Sequence, residues 1–192
     1  MCQKKGGDFM STMNVIVWML PVFFILHDFE EIIFAEIWAK RYEKEIDATF
    51  TKKQPFGLRY IHNWRTATFS VGVEFIFLIY TIITLLSVIF NSYFLWYAFF
   101  MGLFLHFIFL HLVMCIRFKH YVPGIVTSAI FLIPNLWLLI LAEKILKYSL
   151  FTNFCACILV IIVTVILMPA LHKLMGIFST WLYRYSKPKK LI

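Results

Sequence analysis

At 192 residues, with 62% of them hydrophobic and only 15% charged, the chain is far more apolar than a soluble domain, which is nearer half apolar and a quarter charged. Its 22 Phe lie mainly in long apolar blocks, while the bases behind its net charge of +8 lie mainly between them. That separation excludes a soluble globular domain. With no soluble fold or motif beside them the basic residues give no footing for nucleic-acid binding, and they suit the anionic headgroups of a membrane surface.

Apolar stretches of about 18 residues or more read as transmembrane helices. Five are expected, over about 13–39, 67–90, 93–116, 122–142 and 149–171. The class is therefore all-α, a polytopic helix bundle forming one transmembrane domain over 1–192, multi-pass in the cell membrane. A β-barrel would alternate polar and apolar residues, and runs such as "FIFLIYTIITLLSVIF" do not.

The first span follows Lys4 and Lys5 but shows no small-residue cleavage site, so it is expected to be retained rather than removed as a signal peptide. It contains "LPVFFILHDFEEIIFAEIW", residues 20–38, with His27, Asp28, Glu30 and Glu31 in its middle. At about 100° per residue His27, Glu30 and Glu31 share one helix face, Asp28 lies at its edge and Glu36 points away. Glu36 is read as a solvated surface residue. A basic loop, 40–65, follows and is broken at Pro55-Phe56-Gly57.

The second span contributes Glu74, and the third His106 and His111. At about 1.5 Å per residue, Glu31 and Glu74 each lie about 13 Å from a basic anchor, His111 about 9 Å and His106 about 16 Å. Three helices thus deliver ionisable groups to one layer. Five residues apart, His106 and His111 diverge by about 140° on a regular α-helix, so His111 is preferred by depth. A π-bulge would bring the two together. Pro123-Gly124 reads as a turn before the fourth span, and Asn135, after Pro134, as a polar tie between helices. His62, His120 and His172 fall in loops or at span ends and read as interfacial. The chain closes on a basic tail, 184–192. Four cysteines without a CxxC pair suggest neither a disulfide framework nor a thiolate metal site.

Loop 40–65, the 117–121 turn and the C-terminal end hold seven, two and five Lys and Arg, against four on the other side. Positive residues stay cytoplasmic, which puts the N-terminus outside and the C-terminus inside.

Unpaired charges near the bilayer centre are costly. Carboxylates and neutral imidazoles become useful there if they hold a divalent cation, and a purely N and O donor set suits zinc, iron or manganese. The expected ligands are His27, Glu31, Glu74 and His111, with His106 ranked lower and Glu30 as the general base of a metal-dependent hydrolase. Its lipid or peptide substrate would come from the cytoplasmic leaflet. The alternatives are a proton- or ion-conducting subunit using the same carboxylates, a structural accessory of a membrane complex, or a protonated hydrogen-bond network that only holds the bundle together. The oligomeric state is open.

"HDFEE" at 27–31 and "HYVPG" at 120–124 resemble two landmarks of the HXXEE-domain family of bacterial membrane proteins, over about residues 14–170. The resemblance implies that His27, Glu30 and Glu31 are signature positions, and it implies no activity. A weaker likeness is to intramembrane proteases of the CAAX-processing type, whose Glu-Glu and Phe-x-x-x-His elements match Glu30-Glu31 and Phe107 to His111. Ala35 stands where those proteases carry Arg, and their third element is missing.

Overall fold

A computed structural model describes residues 12–49 and 65–187. Among the described residues seven helices and one π-helical segment follow in order: α1 (Met19–Arg41), α2 (Glu43–Thr49), α3 (Thr66–Phe90), α4 (Phe94–His106) running through a π-segment (Phe107–Leu112) into α5 (Val113–Phe118), α6 (Ile125–Leu146) and α7 (Leu150–Tyr185). The described residues contain no strand. Lys4, Lys5, Pro55-Phe56-Gly57, His62 and the last residues of the basic tail lie outside the described residues.

Four helical stretches are long and apolar enough to cross a membrane: Thr66–Phe90, Phe94–Phe118, Ile125–Leu146 and Leu150–Tyr185. At 23 residues, α1 reaches about 35 Å, enough for a hydrocarbon core of about 30 Å. Its four carboxylates keep it out of that apolar group. The last helix is longer than the sequence pattern suggests. Pro169 sits inside it without ending it, and its 36 residues extend about 54 Å.

Short turns join the apolar helices. Asn91, Lys119 and Lys147 adopt left-handed conformations with φ of 50°, 57° and 54°, each closing the helix before it. Ser149 then opens α7 by accepting a hydrogen bond from Thr152 N at 3.2 Å, the usual service of an N-cap serine.

Pro21 explains how α1 is anchored. Proline has no N–H to give the carbonyl four residues earlier, here Val17. That carbonyl instead accepts from Trp96 Nε1 on α4 at 2.8 Å and Thr84 Oγ1 on α3 at 3.2 Å. Around it packs an aromatic core of Leu20, Phe24, Trp96, Tyr97, Phe100 and Phe107, with the Trp96 and Phe100 rings stacked at 5.0 Å.

At the basic end, Glu36 stands at the surface, as expected from sequence, and pairs with Lys40 at 2.6 Å. Its Oε2 accepts from Thr66 N at 2.7 Å and Thr66 Oγ1 at 2.9 Å, supplying an acceptor to the first turn of α3, where backbone N–H groups have no partner inside the helix. The short α2 turns Ile46, wholly buried, against Trp38, Phe118 and Val122. Asn135 is also fully buried, but neither its Oδ1 nor its Nδ2 finds a partner among the described residues, so the expected polar tie is not made.

Candidate metal centre

The face of α1 that meets α4 and α6 carries His27, which is fully buried. Opposite it, the π-segment carries His111. A π-helix bonds residue i to i+5, so its wider turn brings residues five apart onto one side. His106 and His111, divergent on a regular helix, converge here with their Nε2 atoms 2.8 Å apart. His27 Nε2 lies 3.0 Å from His111 Nε2, and Glu31 Oε1 lies 3.2 Å from the same atom. One ligand atom from each of His27, Glu31, His106 and His111 lies within 4.8 Å of all the others.

The outward nitrogens fix which inward ones are bare. His111 Nδ1 lies 2.9 Å from the Pro123 carbonyl, which can only accept, so Nδ1 carries the proton and Nε2 presents a lone pair. His27 Nδ1 lies 3.0 Å from Thr127 Oγ1. That hydroxyl stands 2.6 Å from Glu30 Oε2 and donates to it, leaving its oxygen to accept from His27 Nδ1–H. The neutral His27 ring therefore also turns a lone pair inward. Two lone pairs facing at 3.0 Å repel unless a cation stands beside both. Donors bound tetrahedrally at about 2.0–2.1 Å stand roughly 3.3 Å apart, close to the spacings observed. Outer hydrogen bonds from ligand imidazoles to carbonyls and carboxylates are the usual way a protein orients metal-binding histidines. The group can hold a metal ion.

Glu30 is committed elsewhere. It accepts from Tyr121 Oη at 2.8 Å, Val126 N at 3.3 Å, Thr127 N at 2.8 Å and Thr127 Oγ1 at 2.6 Å, serving the N-terminal turn of α6. Burial, and next the Glu30 carboxylate it donates to, hold the Tyr121 hydroxyl above the usual phenol range, so it remains a donor. With four donors on two oxygens, Glu30 has no free lone pair turned toward the imidazoles. Of the glutamate pair, Glu31 faces the cluster and Glu30 braces it, rather than facing the imidazoles as the expected general base would.

Glu74 does not join the group. It is exposed, because the buried positions of α3 (Thr68, Gly72, Val73, Ile83, Thr84 and Ser87) centre roughly 150° around the axis from it. Depth along a helix fixes height and leaves direction open. Asp28 is buried, and its Oδ2 has no partner among the described residues. His120 stacks on Tyr42 at 3.8 Å and contacts Glu45; neither it nor His172 belongs to the cluster.

The turn "VPG" does more than start a helix. Gly124 has φ of 86°, and a Cβ there would lie 2.5 Å from His111 Cε1 and 2.9 Å from His27 Cε1. Only glycine allows this backbone so near both rings. Thr127, Tyr121 and the Pro123 carbonyl were missed as site residues from sequence, and the one available signal was the "HYVPG" landmark that contains or adjoins them.

A family model described as a protein of unknown function with HXXEE motif matches residues 18–139, a range that includes every member of the cluster and its bracing residues. No curated protein matches the chain, and no solved structure does.

Proposed function

This chain belongs to the family of proteins of unknown function with an HXXEE motif, and from its site we propose a membrane-embedded metal-dependent hydrolase, with His27, His106 and His111 as imidazole ligands and Glu31 as the working carboxylate. The observation that carries this reading is the pair of inward lone pairs on His27 and His111, fixed by Thr127 and Pro123 and set 3.0 Å apart. Zinc, iron and manganese suit three imidazoles and a carboxylate. A bound divalent ion supplies Lewis acidity and acidifies water. Glu31, whose oxygen meets His111 rather than a set of backbone donors, is free to take a proton from the attacking water and return it to the leaving group. Thr127 and Glu30 hold His27 in its ligating tautomer, and Gly124 lets the backbone close beneath both rings.

The substrate would reach the site laterally, as a lipid or a membrane-inserted peptide, from the leaflet on the basic and therefore cytoplasmic side. Glu31 is only partly buried, with 16% of its side chain exposed, which supports an approach from outside the bundle. The test is elemental analysis of the purified protein followed by turnover of long-chain ester and quenched-peptide probes in detergent. About one ion per chain, lost in His111→Ala, together with turnover abolished by Glu31→Gln and by chelator, would support the hydrolase. A chain that takes up no zinc, iron or manganese would refute it and leave the row His27–His111–His106, at hydrogen-bond spacing, as a proton relay.

A further inference from the structure

Asp28 is 6% exposed, and its Oδ2 has no partner among the described residues. An unpaired carboxylate oxygen in the interior is costly. Bound water is the partner that needs no further side chain, and α3 supplies a route by which water reaches it.

Tyr80, Thr84 and Ser87 stand four and then three residues apart on α3, within an arc of about 60°, and Asn91 caps the helix beyond them. That face meets α1. The Tyr80 ring stands edge-on to Phe24 at 4.9 Å. One helical turn further along α1, the Asp28 carboxylate lies within electrostatic reach of the Tyr80 hydroxyl. Thr84 is wholly buried and donates to the Val17 carbonyl at 3.2 Å, which leaves its own oxygen free to accept. Ser87 is 3% exposed. At the end of α3 away from Arg65 the stripe comes out at exposed Asn91. There the Asn91 and Asn14 Oδ1 atoms lie 3.3 and 2.9 Å from Tyr93 Oη.

Spacing decides whether such a stripe can carry water. Successive members rise about 6, 4.5 and 6 Å along α3. One water with bonds of about 2.8 Å on either side spans about 5.6 Å, and two waters span about 8.4 Å. One or two waters therefore close each step. Polar groups that only tied α1 to α3 would be paired across the interface, as Thr84 is and Asp28 Oδ2 is not. Ser128 and Asn135, unpartnered and buried on α6, are about 10.5 Å apart, too far for the same bridge. From Asp28, Glu31 is one turn away on α1.

We propose that the α1–α3 interface holds a file of bound water running from Asn91, at the end of the bundle opposite Arg65, to Asp28 and so to the metal centre. As the source of the water that hydrolysis consumes the file rests on the proposed function; its existence does not. X-ray radiolysis of the purified full chain in detergent tests it, because hydroxyl radicals formed from bound water oxidise the side chains they touch even in an interior. Mass spectrometry should find Tyr80 oxidised at least threefold faster than wholly buried Phe100, with exposed Tyr183 as the dose reference. Thr84→Val and Ser87→Val each remove one of the about three bonds that a buried water keeps, and each should slow Tyr80 oxidation at least threefold. Ser87→Thr keeps a hydroxyl and should leave Tyr80 near the wild-type rate. Melting curves report that the variants are folded. A Tyr80 rate unchanged in either folded valine variant would mean oxidation from the surface. That result, or a wild-type rate no faster than that of Phe100, would overturn the proposal. The readout involves neither metal nor substrate, so its failure leaves the metal reading standing.

Discussion

Replacing Thr127 by Val removes one hydroxyl and keeps the side-chain shape. In the native arrangement that hydroxyl donates to Glu30 Oε2 at 2.6 Å and accepts from His27 Nδ1 at 3.0 Å. Glu30 keeps its bonds from Tyr121, Val126 and the Thr127 backbone, so the start of α6 stays braced. His27 loses the acceptor that selects its tautomer. Losing such an outer partner typically weakens metal affinity 10–100-fold, or about 1.4–2.8 kcal/mol. The buried donor left behind destabilises the metal-free protein by about 1–3 kcal/mol. Competition between the protein and a chromophoric chelator measures the first effect and thermal melting the second. Thr127→Ser keeps the hydroxyl and should stay within a few-fold of wild type. If Thr127→Val binds metal within twofold of wild type while remaining folded, the tautomer argument fails.

Gly124→Ala should be among the most damaging single substitutions in this region. A left-handed backbone costs a non-glycine residue on the order of 1–3 kcal/mol, and the new Cβ would meet His111 and His27 at 2.5 and 2.9 Å; melting temperature and metal content should fall together. Glu30→Gln turns an N–H pair toward groups that are themselves donors, so it should lower stability by about 1–3 kcal/mol, read by thermal melting. Unaltered melting would show that Glu30 does not brace α6. Metal affinity should fall on acidification, because protons compete with the ion for the Glu and His donors; chelator competition across a pH series checks the sign, and affinity that rises as pH falls would argue against these ligands.

The helical architecture was legible because long apolar runs leave few alternatives. The convergence of His106 and His111 was legible only as a condition: five-residue spacing fails on an α-helix, so their joint use required the π-turn that the chain forms. Glu74 shows the opposite case. Its depth matched Glu31, yet depth says nothing of rotation, and only the packing of Gly72 against Met175 turns that face of α3 inward and Glu74 outward. The roles of Glu30 and Glu31 were beyond sequence for a related reason. Adjacent residues differ by about 100°, and which of them meets α6 depends on where that helix begins. A backbone carbonyl such as that of Pro123 leaves no side-chain signature at all.

These placements explain how one helix carries so many acids through an apolar layer. Helix N-termini present unpaired N–H groups and the positive end of the helix dipole. Glu36 is met by the first turn of α3 and Glu30 by that of α6, so both charges have partners without any ion. Glu31 has no helix terminus and faces neutral imidazoles, which offer no positive charge. A divalent ion among them would leave one positive charge after Glu31 is counted. Asp28 is buried one helical turn before Glu31, with an oxygen lacking any partner among the described residues, and with an ion bound its carboxylate would supply the balancing negative charge. Removing it with Asp28→Asn should therefore weaken binding of a divalent ion while leaving all four donor atoms in place.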